Sequence, residues 1–569
     1  MLKSLFVQKQ NSILLKILTL ATIFFTLASI IALNRYYSFY ATYDHGLFNQ
    51  LFWNSIHGRL FQGSLSSGNS SAVIFDGKIP SLSYNHLGQH FVLDFLLWLP
   101  LYALFPSPVT LLVLQVGLIT AAGLVLYVLS RQYLAPTLSV FITASYYGAN
   151  SIIGPSLHDF YESCQIPLFA FGLLLALEKR CWWLFWLLAA LTLGVREDAG
   201  IMLFGIGIYL VLSRRYPYSG LILCLLSFCY IVVVTNILMP MFSNDNSRLY
   251  LTTYFGQFTK SQHPTTLELL WGIISQPQVV LSVFCNHLDR CLRYMLGLWQ
   301  PLAFISAISP STWIITSLPL FENLIQNSQN ANATSLNYHS TLPLAPGLYY
   351  GAILWWSQHQ QKFNRRLRRF WLACIVVSLV FTVASDPHRS LYFLVPSSLK
   401  PFVYVSLSDR WQHAAHVQTA IQLIPQKASV AASEEPLSHL SSRQAIVQLP
   451  SLQFRDEQQR VRDVDYVLLD LWKFRRHLTS PAARHRLKKR HLTSPAARHR
   501  LKITMLRLDR ALQQGRYKII AWQDDVLLLQ KGSVTAPEAL VFWSSLQDEL
   551  RSIGQGGLSN GCVDQTCRR

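Results

Sequence analysis

FVLDFLLWLPLYALF, from Phe91 to Phe105, is apolar enough for a membrane and too short to cross one. At 1.5 Å per residue it reaches about 23 Å as a helix, against roughly 30 Å of hydrocarbon. It also holds Asp94 and Pro100 and runs into Pro106 and Pro108. The stretch reads as interfacial or re-entrant, and the sidedness of the following chain depends on that. If it does not cross, Val109–Ser130 runs inward and leaves Arg131 in the cytoplasm, and Pro136–Ile153 returns outward. Cys164–Leu177 then brings Lys179 and Arg180 inside, Trp182–Val195 leaves, and Ala199–Leu212 places Arg214 and Arg215 inside before Leu221–Leu238 exits. Every basic cluster lands on one side, as the positive-inside rule requires. A crossing at Phe91–Phe105 would put them all on the wrong side.

Working outward, Met1–Ser12 carries Lys3 and Lys9 and leads into Ile13–Leu33, a signal-anchor helix with its N-terminus in the cytoplasm. Beyond Leu238, Met239–Arg290 is a long outer loop with an interfacial helix expected at Trp271–Phe284. Tyr294–Ile308 and Trp313–Ile325 form a hairpin. Gly347–Ser357 leads inward to Lys362, Arg365, Arg366, Arg368 and Arg369, and Phe370–Ser385 leads out. The expected fold class is an all-α polytopic membrane protein of about eleven transmembrane helices over residues 1–385, with outer loops at 34–108 and 239–292.

From about Asp386 the pattern changes. Ser429–Ala432, Ala445–Val447 and Tyr466–Leu469 are β-like runs, and Lys518–Ala521 and Val526–Leu529 flank a turn at Gln523-Asp524-Asp525. With a helix at Ala414–Leu423, residues 386–569 read as a small extracytoplasmic α/β domain. RHLTSPAARHRLK occurs at Arg476–Lys488 and again at Arg490–Lys502. Two copies are too few for a repeat fold and mark a lengthened basic segment at 476–502.

The composition agrees with a membrane protein. Hydrophobic residues make up 51% and charged residues 13%, where a soluble domain carries about 25% charged. The net charge of +20 sits in clusters between apolar blocks, so the lipid bilayer is the expected partner and nucleic acid is not. The nine cysteines form no zinc-type pairs; Cys285 with Cys291, and Cys562 with Cys567, are spaced for disulfides on an oxidising face.

This threading gathers four polar clusters on the outer face: Asp44 to Asp94, His158-Asp159-Phe160-Tyr161-Glu162, Arg196-Glu197-Asp198, and Asn337-Tyr338-His339. Any one of them alone reads as a solvated loop or a helix cap. Ionisable residues gathered at one end of a membrane bundle point instead to function. Arg196-Glu197-Asp198 carries the strongest signal, because only these three polar residues separate two apolar blocks. His86, His90 and Asp94 recur every four residues, which on a helix would put two imidazoles and a carboxylate on one face for a divalent metal ion.

Tyr43-Asp44-x-Gly46, Gln50, Trp53-Asn54 and Gly58-Arg59 resemble the opening motif of the bacterial membrane proteins grouped as domain-of-unknown-function family 2079. His90-Phe91, His158-Asp159-Phe160, Glu197-Asp198 and Tyr338-His339 resemble further stretches of that family, over roughly residues 35–390. His45 and Tyr161-Glu162 depart from its pattern. The family is similar in layout to GT-C glycosyltransferases, such as the protein mannosyl- and aminoarabinose transferases, which have an essential acid in the first outer loop. The resemblance implies a glycosyltransferase that moves a sugar from a polyprenyl-phosphate donor to an envelope acceptor.

That chemistry needs a base near the acceptor hydroxyl and positive charge at the departing phosphate. Asp44 is the candidate base and Arg196 the phosphate clamp. Glu197 and Asp198 would orient Arg196 or hold a divalent metal with Asp44 and Asp159. Gln50, Trp53, Asn54, His158, Asp159, Tyr338 and His339 are the candidates for substrate contact. Two other functions compete. A transporter or lipid flippase would place polar groups near the midplane on related halves, which the sequence lacks. A non-catalytic envelope protein would depend on its C-terminal domain and not on the acids.

Overall fold

The computed structural model describes residues 2–327, 332–384, 406–472, 475, 495–532 and 535–555. The chain is mostly helical and divides into two units. One unit comprises Met1–Lys78 and Ser83–Leu391, the other Ile79–Leu82 and Tyr392–Arg569.

Among the described residues, three helices of the first unit are long and apolar enough to cross a membrane: Ser12–Tyr37, Pro108–Ser130 and Pro217–Met241. Trp182–Val195 and Ala199–Leu212 are as apolar but have 14 residues each. Each rises only about 21 Å, so length alone does not establish eleven spans. Phe91–Phe105 is helical only over Phe95–Leu104, ten residues with Pro100 inside. Pro136–Ile153 breaks at Gly148-Ala149 into two shorter helices.

Pro108–Ser130 is central. Ser107 caps it by accepting from the Val109 amide (3.3 Å), and Pro108 occupies the first turn, where no amide hydrogen is needed. Its Leu111, Ile119 and Leu126 are fully buried, and it packs on both Leu2–Tyr37 and Ile166–Glu178.

The continuous interfacial helix expected at Trp271–Phe284 is corrected. Thr266–Ser275 and Pro277–Asn286 meet at an 82° bend. Pro277 cannot donate an amide hydrogen, and it drives Gln276 out of the helical region (φ −123°, ψ 58°).

The second unit holds a five-stranded sheet in the order β2-β1-β5-β7-β6. β1 (Val430–Ala432) runs parallel to β2 (Ile446–Gln448) and β5 (Tyr466–Asp470), and β7 (Val526–Lys531) is antiparallel to β5 and to β6 (Tyr517–Gln523). Asp524 and Asp525 both take positive φ (45° and 68°), which makes the β6–β7 connection the two-residue turn whose twist suits a hairpin. A further hairpin, β3 (Gln453–Arg455) and β4 (Val461–Asp463), has no counterpart in the sequence reading. Ile79–Leu82 joins this unit through a bridge from Ser81 to Arg455 and by burying Leu82 in its core. The helix expected at Ala414–Leu423 spans Leu407–Gln422. The first copy of the duplicated segment, Asp386 and the Cys562/Cys567 pair lie outside the described residues, while Cys285 and Cys291 are both free thiols.

Candidate active site

The first polar stretch begins where Leu2–Tyr37 ends. Arg35, in the last turn, is buried and pairs with the buried Asp159 at 3.0 Å. Thr42, the N-cap of the helix Tyr43–Ile56, donates its amide to Asp159 (3.2 Å), and its hydroxyl bonds the same carboxylate. Burial alone would raise the Asp159 carboxyl, but Arg35, His158, His45 and the Thr42 hydrogen bond hold it well below the usual carboxylate range. Gln115 fixes the other side of this loop. Its amide donates to the carbonyls of Pro155, His158 and Asp159, and its oxygen accepts from the Tyr161 amide.

Two functional groups meet in consequence. Asp44, in the first turn of Tyr43–Ile56, accepts a 2.5 Å hydrogen bond from the Tyr161 hydroxyl. Burial pushes the Tyr161 phenol far above its ordinary value, so it stays a donor. The Tyr161 ring stacks on His339 at 4.0 Å, and His339 Nδ1 lies 3.2 Å from Ser163 Oγ. Tyr338 packs edge-on to His158 and lies within electrostatic reach of Asp44 and Arg196.

Arg196 follows Trp182–Val195 in extended backbone and turns into a nest of carboxylates. Its Nε donates to Asp198 (2.8 Å), a second nitrogen also bonds Asp198, and a third reaches Glu162 at 3.2 Å. Among the described residues, three of the five guanidinium N–H donors are thereby engaged and two are left. Glu197 turns the other way. One oxygen lies 2.8 Å from His90 Nδ1 and the other accepts the Phe91 amide at 2.9 Å. Burial would raise the Glu197 carboxyl, yet His90, Arg196 and the Phe91 amide hold it below the usual carboxylate range. Burial likewise opposes a charged His90, but the facing Glu197 outweighs it and raises the imidazole pKa. Gly194 permits this approach, because a Cβ there would collide with the Asp94 carboxylate, whose amide donates to the Gly194 carbonyl (3.1 Å).

The four clusters singled out in the sequence therefore adjoin one another within the first unit. Four further residues belong with them and went unnoticed in the sequence. Arg35 is one. Tyr250 and Tyr254 come from the polar segment after Leu238, where Asp245 accepts from the Ser71 amide (2.5 Å) and Ser243 (2.8 Å), and Arg248 pairs with Asp76. Gly88 makes room for that loop, since a Cβ would lie 2.7 Å from the Ser243 backbone nitrogen. Tyr250 packs on His90 at 4.6 Å, and both tyrosines lie within electrostatic reach of Asp44 and Arg196. Glu322, half-buried, interacts electrostatically with Asp198, Arg196 and Glu197. None of these had a local signal, apart from an ionisable residue inside an apolar block at Glu322.

Gln50, Trp53 and Asn54 are engaged within the loop itself. Gln50 donates to Ser64 Oγ and accepts from the Leu65 amide, both at 2.9 Å. Asn54 donates to the Gln62 carbonyl (2.8 Å), and Trp53 packs against the His57 ring at 4.1 Å. The helix premise for His86, His90 and Asp94 is corrected. His86–Gly88 is a single 3₁₀ turn capped by Asn85, and the next helix starts only at Phe95. His86 Nδ1 lies 3.1 Å from Ser66 Oγ, His90 faces Glu197, and burial raises the Asp94 carboxyl to about 7. Among the described residues no three His, Cys, Asp or Glu side chains are grouped as metal ligands. Glu197 and Asp198 fit a metal poorly, because His90 and Arg196 already engage them.

A family model described as "Predicted membrane protein (DUF2079)" matches residues 35–528. No curated protein matches the sequence. Among solved structures, the chain is similar to ArnT from Cupriavidus metallidurans bound to undecaprenyl phosphate. The identity is 10% and the TM-score 0.44, covering 89% of this chain and 97% of that one.

Proposed function

Because the chain belongs to the DUF2079 family of predicted membrane proteins, we propose a reaction at the membrane surface: transfer of a sugar from a polyprenyl-phosphate donor to an envelope acceptor on the outer face. The observation that carries this reading is that Tyr161 bonds Asp44 while its neighbour Glu162 bonds Arg196, which joins residues from three separated polar clusters. The threading that goes with it has about eleven spans, an N-terminus in the cytoplasm and the α/β unit outside.

The chain's own residues divide the work as follows. Asp44 takes the proton of the acceptor hydroxyl, and the Tyr161 hydrogen bond fixes the orientation of its carboxylate. Arg196 offers its two remaining donors to the phosphate, with Asp198 and Glu162 holding the guanidinium plane. His158, Tyr338 and His339 form an aromatic wall for the sugar or acceptor. No step depends on a metal.

The test is a comparison of lipid-linked glycans in cells with and without the gene, complemented by Asp44→Asn or Arg196→Ala. Accumulation of one polyprenyl-phosphate sugar, uncorrected by either variant although both insert in the membrane, is expected. Full complementation by both variants overturns the proposal. Uptake of labelled substrate into proteoliposomes with unchanged glycans would favour a transporter instead.

A further inference from the structure

Resting on the reading above, we propose that His90, aimed by Glu197, donates a proton to the departing phosphate oxygen. The geometry is that of an oriented imidazole. Nδ1 lies 2.8 Å from Glu197 Oε1, and the Phe91 amide pins the other Glu197 oxygen at 2.9 Å. A carboxylate at Nδ1 leaves Nε2 as the nitrogen that can meet a ligand. The ring rests on Tyr250, which lies within electrostatic reach of Asp44 and Arg196, and Arg196 acts electrostatically on His90 itself, so His90 adjoins the same group of residues.

The charged and titratable groups around His90 are Glu197, Arg196, Glu162, His86 and Tyr250, the last kept neutral by burial. The first and third favour an imidazolium; Arg196 and His86 oppose it. The net effect is a raised imidazole pKa. The step balances without a co-reactant. The acceptor oxygen forms a bond to the sugar's anomeric carbon as the bond from that carbon to the phosphate oxygen breaks. The acceptor's proton passes to Asp44, and the Nε2 proton passes to the leaving oxygen. Both residues then return to their starting states by exchange with water. Glu197 acts through His90 and is a positioning residue.

Purified full-length protein in nanodiscs, titrated with undecaprenyl phosphate between about pH 6 and pH 9, tests this directly. In the wild type, affinity should fall about tenfold more across that range than in His90→Gln, which retains only the titration of the phosphate itself. Glu197→Gln should shift the wild-type midpoint toward acid without abolishing the pH dependence, which loss of packing alone would not do. An identical pH dependence in the wild type and His90→Gln refutes the role of His90 alone. Absence of undecaprenyl phosphate binding by the wild type at every pH refutes the lipid-donor reading, and the His90 proposal with it. Should His90→Gln unfold, an unmoved midpoint in Glu197→Gln is the refuting result.

Discussion

Replacing Arg35 with methionine isolates the interaction that ties the first helix to the loop holding Tyr161. Arg35 and Asp159 are 3% and 0% exposed and 3.0 Å apart. At an effective dielectric constant of about 20, two unit charges at that separation attract by about 5 kcal/mol. Desolvation offsets much of this in the intact pair, so the pair's net contribution is small. Removing one partner is different, because it leaves the Asp159 carboxylate buried without its counter-charge. That situation costs about 3–5 kcal/mol. Methionine keeps most of the side-chain volume, so a cavity contributes little.

The assay is equilibrium unfolding in mixed micelles with rising sodium dodecyl sulfate, followed by tryptophan fluorescence. Arg35→Met should lose about 3–5 kcal/mol. The double variant Arg35→Met/Asp159→Asn should recover a large part, since no buried charge remains to be compensated. Loss of the partly solvated Arg248–Asp76 pair should matter far less. A single variant within about 1 kcal/mol of wild type, or a double variant no better than the single, would refute the reasoning.

Two further predictions concern the other unit and the threading. His413 lies between Asp470 and Asp524, at 3.0 Å from each, and stacks on Trp472 at 4.4 Å. Burial opposes its charge but the two carboxylates prevail and raise its pKa above the unfolded value, so its stabilisation is complete below about pH 6.5 and lost as pH rises through the folded value. Hydrogen exchange in Leu407–Gln422, corrected for intrinsic rate, should quicken between about pH 6 and pH 9 in the wild type and not in His413→Gln. For the threading, a thiol at the exposed Lys78 should react with an impermeant maleimide in intact cells, and thiols at the exposed Arg131 and Lys179 only after permeabilisation. Any reversal would separate the proposed reacting groups.

What the sequence made legible was set by how local each signal is. Arg196-Glu197-Asp198 stands out because charge between two apolar blocks is expensive wherever the chain goes. The β6–β7 turn is legible because Gln523-Asp524-Asp525 interrupts two apolar runs. The pairing of Arg35 with Asp159 spans more than a hundred residues and leaves no periodic trace. Tyr250 and Tyr254 sit in short helical turns, Asn246–Leu251 and Thr252–Phe255, whose place is set by Asp245, Ser71 and Tyr84, again at long range. The bend at Pro277 was readable, since proline restricts the residue before it; hydropathy averaged across Trp271–Phe284 hid it. Span count is less legible for the opposite reason: apolar composition is plain in Trp182–Val195, but 14 residues do not fix how a helix lies in a bilayer.

The charge balance around Arg196 constrains any reaction performed there. Glu162, Glu197, Asp198 and Glu322 lie within electrostatic reach of Arg196, and Glu197 also faces His90. A site with that excess of carboxylates would repel a phosphate from most directions. Both groups, however, are held by carboxylates: Arg196 by Asp198 and Glu162, His90 by Glu197. Their remaining N–H donors are oriented before any ligand arrives, and oriented donors stabilise developing charge without reorganising when it forms. The carboxylates thus sacrifice affinity for a resting phosphate and gain direction. In the proposed transfer reaction, such an arrangement would favour the transition state over the bound donor, the condition catalysis requires and simple binding does not.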